Sequence, residues 1–160
     1  MIYKASFILN NMSKENVFKP YNYQESLSTE GCSILKKLNI VYFSVEVRCG
    51  KTFTSLMTAE KYGAKKVLFV TKKKAIGSIQ SDYNLMQPNF DICIINFESV
   101  HKIDFKPDLI IIDEAHSLGQ YPKASNRTKN IKEIVKDLPL ILMSGTPSPE
   151  SYSQLYHQFW

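Results

Sequence analysis

Ile110-Ile111-Ile112-Asp113-Glu114-Ala115-His116 is the stretch on which the fold turns. With Leu109 it makes four apolar residues in a row, three of them β-branched, followed at once by two carboxylates. β-Branched side chains suit a pleated surface. An apolar run without alternation needs cover on both faces, as in a parallel strand inside an α/β sheet. Leu109–Asp113 therefore predicts a buried strand that delivers Asp113 and Glu114 to its carboxyl end. Two adjacent acids there can take separate roles. One holds the hydration shell of Mg²⁺, and the other orients and deprotonates a water. Alone, Asp-Glu reads sooner as a strand ending in a solvated acidic turn.

Working upstream, Val45-Glu46-Val47-Arg48-Cys49-Gly50-Lys51-Thr52 lies between a β-run and a helical pattern. A phosphate-binding loop needs inward backbone N–H groups, a helix N-terminus aimed at the anion, a Lys for the β- and γ-phosphates and a hydroxyl for Mg²⁺. Gly50-Lys51-Thr52 supplies the end of that set, and Arg48 and Cys49 complete the candidate loop. The strict pattern G-x-x-x-x-G-K-S/T is broken, because Val45 stands where its first Gly belongs. Downstream, Leu140-Ile141-Leu142-Met143-Ser144-Gly145-Thr146-Pro147 ends another apolar run in small hydroxyl residues. They suit a close-packed loop that relays a change at the phosphates, or an ordinary strand exit.

Around these motifs β-runs and helical patterns alternate. Strands are predicted at Ile40–Val45, Lys66–Thr71, Asp91–Asn96, Leu109–Asp113 and Leu138–Ser144, with helices at Lys51–Tyr62, Lys74–Tyr83 and Ile131–Lys136. Alternation of this kind means βαβ crossovers and a mostly parallel sheet between helices, whose ligands sit at the strands' carboxyl ends. Residues 1–20 show no period. Gly119–Asn130 is polar and basic and reads as an exposed loop.

The chain of 160 residues suits one domain. No apolar run approaches the length of a membrane span, so no membrane partner is expected. The N-terminus lacks a signal peptide's long apolar region and cleavage site. Three scattered cysteines without a CxxC argue against a zinc site or disulfide framework and for a reducing, cytoplasmic setting. A net charge of +5 is compatible with a polyanionic partner or with a merely basic surface.

GKT, DEAH and SGTP, in this order and each at a strand end, resemble motifs I, II and III of superfamily 2 helicases. The likeness is nearer to SWI/SNF-type translocases and to helicase-like proteins encoded by bacteriophages, whose loop often reads D-E-M-G-x-G-K-T. VEVRCGKT matches it at Glu46, Gly50, Lys51 and Thr52, and the resemblance covers about residues 17–160. It implies a three-layer RecA-like P-loop NTPase domain that binds ATP and Mg²⁺ and couples hydrolysis to movement on nucleic acid, with DNA favoured over RNA. Its expected setting is the cytoplasm of a bacterial or phage-infected cell. Lys51 would bind the β/γ-phosphates, Thr52 and Asp113 would hold Mg²⁺, and Glu114 would be the general base. His116, Ser144 and Thr146 would transmit the nucleotide state. Family members continue into a second RecA-like domain that completes the site with an arginine, so residues 1–160 are expected to be the first domain of two.

Other stretches resemble the family less sharply. In Phe18-Lys19-Pro20-Tyr21-Asn22-Tyr23-Gln24, Gln24 is the candidate adenine contact, or a glutamine in a capping region. Lys72 and Lys73, after Val67–Thr71, would meet a nucleic-acid backbone, or begin a solvated helix. Asn96 would touch backbone phosphate. Arg48 replaces the family's usual Gly, so either the loop bends differently or Arg48 adds a cation to the site. Two rival classes stand beside the motor: a P-loop phosphotransferase acting on a small molecule, and a non-catalytic nucleic-acid or protein-binding module that keeps a relic ATP fold.

Overall fold

The computed structural model describes residues 3–5, 18–46, 49–119, 123, 125–146 and 158. Its elements run β1 (Tyr3–Ala5), α1 (Asn22–Leu38), β2 (Ile40–Ser44), α2 (Lys51–Tyr62), β3 (Lys66–Thr71), α3 (Ile76–Met86), β4 (Asp91–Asn96), β5 (Leu109–Ile112), α4 (Asn126–Val135) and β6 (Leu140–Ser144). Short 3-10 turns cover Lys73–Ala75, Phe97–Lys102 and Ala115–Leu118. The sheet order is β1-β4-β3-β5-β6-β2; β2 to β6 are parallel and β1 is antiparallel to β4.

The connections explain the layers. From β2 to β3 to β4 the chain steps one way across the sheet, and from β4 to β5 to β6 it steps back. Right-handed crossovers put connections of opposite direction on opposite faces. Accordingly α2 and α3, with α1, cover one face: Leu35, Phe43, Leu56, Phe69, Ile79 and Ile111 share a core there. The 3-10 turns after β4 and β5, with α4, cover the other, where Leu68, Val70, Ile95, Phe97, Ile112 and Ile131 pack. Along β3, Val67 and Phe69 face one core while Leu68 and Val70 face the other, the two-residue period of a strand. Phe69 is fully buried in this central strand. Phe69→Ala is expected to lower stability by about 3–5 kcal/mol, read as a shift of the urea midpoint; an unchanged midpoint would contradict the burial.

Several expected boundaries are corrected. A sixth strand, β1, lies in the region without sequence period, and α1 has no counterpart among the helices that the sequence predicts. The buried face of α1 is Gln24, Ser28, Gly31, Cys32 and Leu35, too polar and small to announce a helix by hydrophobic period. A Cβ on Gly31 would lie 2.4 Å from the Phe43 ring, so close packing on β2 selects the glycine. The expected loop Gly119–Asn130 is cut short because Ser125 caps α4, its Oγ accepting from the Thr128 N–H at 3.2 Å. β2 and β5 each end one residue before the expected limit, and β6 begins at Leu140 instead of Leu138. The helix expected from Lys74 begins as the turn Lys73–Ala75 and continues as α3 to Met86, beyond Tyr83. Among the described residues no helix is long and apolar enough to cross a membrane.

Candidate functional site

The strand order brings the three motifs together. β6 lies between β2 and β5, with Ser44 paired to Ser144 and Ile112 to Leu142, so the chain leaves all three strands at one edge of the sheet.

At the end of β2, Gly50 precedes α2 with φ 63°, the left-handed region that glycine enters without strain. The N-cap residue of α2, Gly50, has no side chain with which to cap it, and a helix N-terminus of this kind suits an anion. The adjoining residues are held by α1. Gln24 is buried; its Oε1 accepts from the Tyr21 N–H at 2.9 Å and its Nε2 donates to the Gly50 carbonyl at 3.4 Å. Tyr23 Oη donates to the Cys49 carbonyl at 3.2 Å. Gln24 thus caps α1 and touches the loop with one side chain. Lys51 Nζ donates to the carbonyls of Val45 and Glu46, at 3.1 and 3.0 Å. Arg48 lies outside the described residues.

Position 50 gives a direct test. A Cβ there would come 2.2 Å from Gln24 Nε2, and the left-handed backbone costs a non-glycine residue about 1–2 kcal/mol. Gly50→Ala is expected to lower the free energy of unfolding by at least that backbone cost, read as a lower urea midpoint, and to weaken nucleotide binding; wild-type behaviour in both would mean the loop is built differently.

At the end of β5, Asp113 is anchored on every side. Its N–H donates to the Val70 carbonyl at 2.9 Å, its Oδ2 accepts from Thr71 Oγ1 at 2.9 Å, and its Oδ1 accepts from the Glu114 N–H at 3.0 Å. Burial pushes its carboxyl above the ordinary range and the neighbouring Glu114 charge adds to this; the bonds from Thr71 and the Glu114 N–H and the Lys51 ammonium oppose it. Such a carboxylate gains from a cation. Glu114 has φ 55°, a left-handed conformation uncommon for any residue but glycine. Its Oε2 lies 3.2 Å from His116 Nδ1 and 3.9 Å from Lys72 Nζ. His116 Nδ1 is also 3.0 Å from Ser144 Oγ, which accepts from the Thr146 N–H at 3.1 Å. Glu114, His116, Ser144 and Thr146 therefore form one continuous chain of polar contacts.

Thr52 and Asp113 make a modest donor set, and among the described residues no cluster of three His, Cys, Asp or Glu could hold a metal ion. Mg²⁺ keeps several waters and takes one or two protein ligands beside substrate phosphates instead of a protein cage, so a donor pair such as the Thr52 hydroxyl and the Asp113 carboxylate would suffice for it.

Four neighbours carry no motif in the sequence. Thr71 ends the stretch Val67–Thr71 already singled out before the lysines, but nothing in the sequence shows that it holds Asp113. Asp82 on α3 lies beside Thr52: burial pushes its carboxyl up, and a hydrogen bond from the Thr52 hydroxyl opposes this. Tyr42 on β2 donates to Gln158 Oε1 at 2.9 Å. Burial, against a bond with Ser144 and with Glu114's charge assisting, pushes the Tyr42 phenol up to about 12. Arg127 stands 5.0 Å over the Phe97 ring and pairs with Glu98 at 2.6 Å.

Arg127 belongs to a network that draws in Asn96. Asn96 is 9% exposed and its Nδ2 donates to Glu98 Oε2 at 2.8 Å, a bond that heads the causes holding the Glu98 carboxyl below its ordinary value. Its amide is thus committed to Glu98 in this state. Lys72 and Lys73 are exposed at the end of β3, where Thr71 pairs with Asn96 in the neighbouring strand. His101 is exposed as well.

No protein-family model matches the chain, and no curated protein matches it in sequence. Among solved structures it is similar to the Sulfolobus solfataricus SWI2/SNF2 ATPase core in complex with dsDNA, with a TM-score of 0.70 over 89% of this chain. The fold is RecA-like. Sequence identity is 15%, and the chain spans 36% of the length of that structure. At this identity the likeness speaks for the fold, and function must be argued from the site.

Proposed function

We propose that this domain binds ATP·Mg²⁺ and serves as the first of two RecA-like domains in a nucleic-acid translocase or helicase. The observation that supports this best is the convergence at one sheet edge of the α2 N-terminus with its lysine, Lys51, and of the adjacent acids Asp113, which is anchored by Thr71, and Glu114. In this reading Lys51 leaves the Val45 and Glu46 carbonyls and turns to the β/γ-phosphates, while the first N–H groups of α2 hold phosphate oxygens. Thr52 and Asp113 hold Mg²⁺, which when bound neutralises charge on the β- and γ-oxygens. Glu114 accepts the proton of the attacking water. Through His116, Ser144 carries the state of Glu114 into the loop at Thr146. Lys72 and Lys73 take backbone phosphates. The DNA-bound SWI2/SNF2 core of similar fold favours DNA over RNA.

A second RecA-like domain would supply an arginine to the γ-phosphate, worth roughly 10³–10⁵ in rate. Hydrolysis by residues 1–160 alone is expected to be slow. Calorimetry with ATP, with and without Mg²⁺, and titration of labelled double-stranded DNA across a salt series test the reading. Mg²⁺-dependent ATP binding is expected, together with DNA binding that weakens as salt rises. ATP binding indifferent to Mg²⁺ would remove the metal assignment; absence of ATP binding would remove the motor reading.

A further inference from the structure

Lys72 occupies two roles that exclude each other. It stands at the end of β3 among Lys73 and Lys74, where a backbone phosphate would be met, yet it is the lysine of the three that pairs with a carboxylate among the described residues. That carboxylate is Glu114, the group that must be free to take a proton. The Lys72 ammonium lies 3.9 Å from Glu114 Oε2, and the same oxygen has His116 Nδ1 at 3.2 Å. One oxygen of the base is therefore engaged from both sides while Ser144 holds the imidazole at 3.0 Å.

We propose that Lys72 is a positioning residue that latches Glu114 until nucleic acid draws it away. The inference rests on the reading of the domain as a nucleic-acid motor. The ammonium keeps Glu114 turned toward β3. A backbone phosphate competes for the same ammonium, and Glu114, then held by His116 alone, is freer to turn toward the attacking water. The pair suits a switch because it is shallow. Both side chains are partly exposed, 44% and 36%. Exposed pairs of this kind are worth a factor of about two to five, which a phosphate can overcome. Coupling between two ligands is reciprocal: whatever Lys72 contributes to holding Glu114 must be given up when DNA binds.

That reciprocity allows a test without hydrolysis. Binding of a labelled double-stranded oligonucleotide, with no nucleotide present, is measured for the wild type, Glu114→Gln, Lys72→Met and the double variant. Glu114→Gln is expected to bind about two- to fivefold tighter, because Lys72 is set free. Lys72→Met should bind more weakly, and in its background the gain from Glu114→Gln should vanish. With Lys73→Met as background the gain should persist, since Lys73 has no part in the latch. Lys72→Arg should restore the gain. An equal gain in every background would show general charge repulsion and overturn the latch while leaving DNA binding intact. No binding by any of the proteins would overturn the nucleic-acid reading and the latch with it. Loss of a specific pair appears only as non-additivity, which distinguishes it from a change of net charge.

Discussion

Lys51→Ala is expected to weaken ATP·Mg²⁺ binding about a hundredfold or more. A lysine between the β- and γ-phosphates makes two charge-assisted hydrogen bonds, each worth roughly 1.5–3 kcal/mol, and every 1.4 kcal/mol is about tenfold in affinity. The gross gain is not all realised. Lys51 donates to the Val45 and Glu46 carbonyls, and a phosphate contact must replace those bonds. The lower end of the range is therefore the firmer expectation. The same contacts mean that the alanine variant loses a tether between its loop and α2. Its urea midpoint belongs beside its calorimetry, so that loss of fold is not taken for loss of a ligand contact. Affinity within threefold of wild type, in a folded variant, would end the phosphate-loop assignment.

Legibility in the sequence followed the density of apolar signal. β3 and β4 appear at their expected limits because each is an unbroken buried run framed by charge, from Lys66 and from Asp91. α2 also appears as expected, closed by Gly63 at φ 93°. α1 is invisible in the sequence because its buried face relies on Ser28, Gly31 and a glutamine. α4 is half hidden because Thr128, fully buried, replaces an apolar residue in its first turn. At the site, the motif residues can be named from adjacency in sequence. Their supports cannot. Thr71 reaches Asp113 from another strand, Tyr42 reaches Gln158 across the length of the chain, and Arg127 joins Asn96 through Glu98. Such contacts depend on strand order, and a single sequence specifies strand order only through the topology it folds into.

The chemistry itself is tested at Glu114. Glu114→Gln is expected to leave ATP affinity within about threefold, yet to slow single-turnover hydrolysis by the complete, two-domain protein by roughly 10²–10⁴, the usual worth of a positioned general base. The amide keeps the size of the side chain, and its oxygen can still accept from His116 if Nδ1 carries the proton. It cannot take a proton from water. Asp113→Asn provides the contrast. Asp113 is fixed by Thr71, the Val70 carbonyl and the Glu114 N–H, and its carboxyl is held in a buried place that favours a nearby cation. Removing its charge should therefore act first on the Mg²⁺ dependence of ATP binding and only through that on rate. The two carboxylates are neighbours in sequence, but their surroundings differ: one is locked in place, the other lies between Lys72 and His116 with room to move. If Glu114→Gln loses nucleotide affinity as severely as Asp113→Asn, Glu114 serves the metal and not the water. If hydrolysis proceeds at the wild-type rate, the base is another residue, and the left-handed backbone at Glu114 would need a different reason.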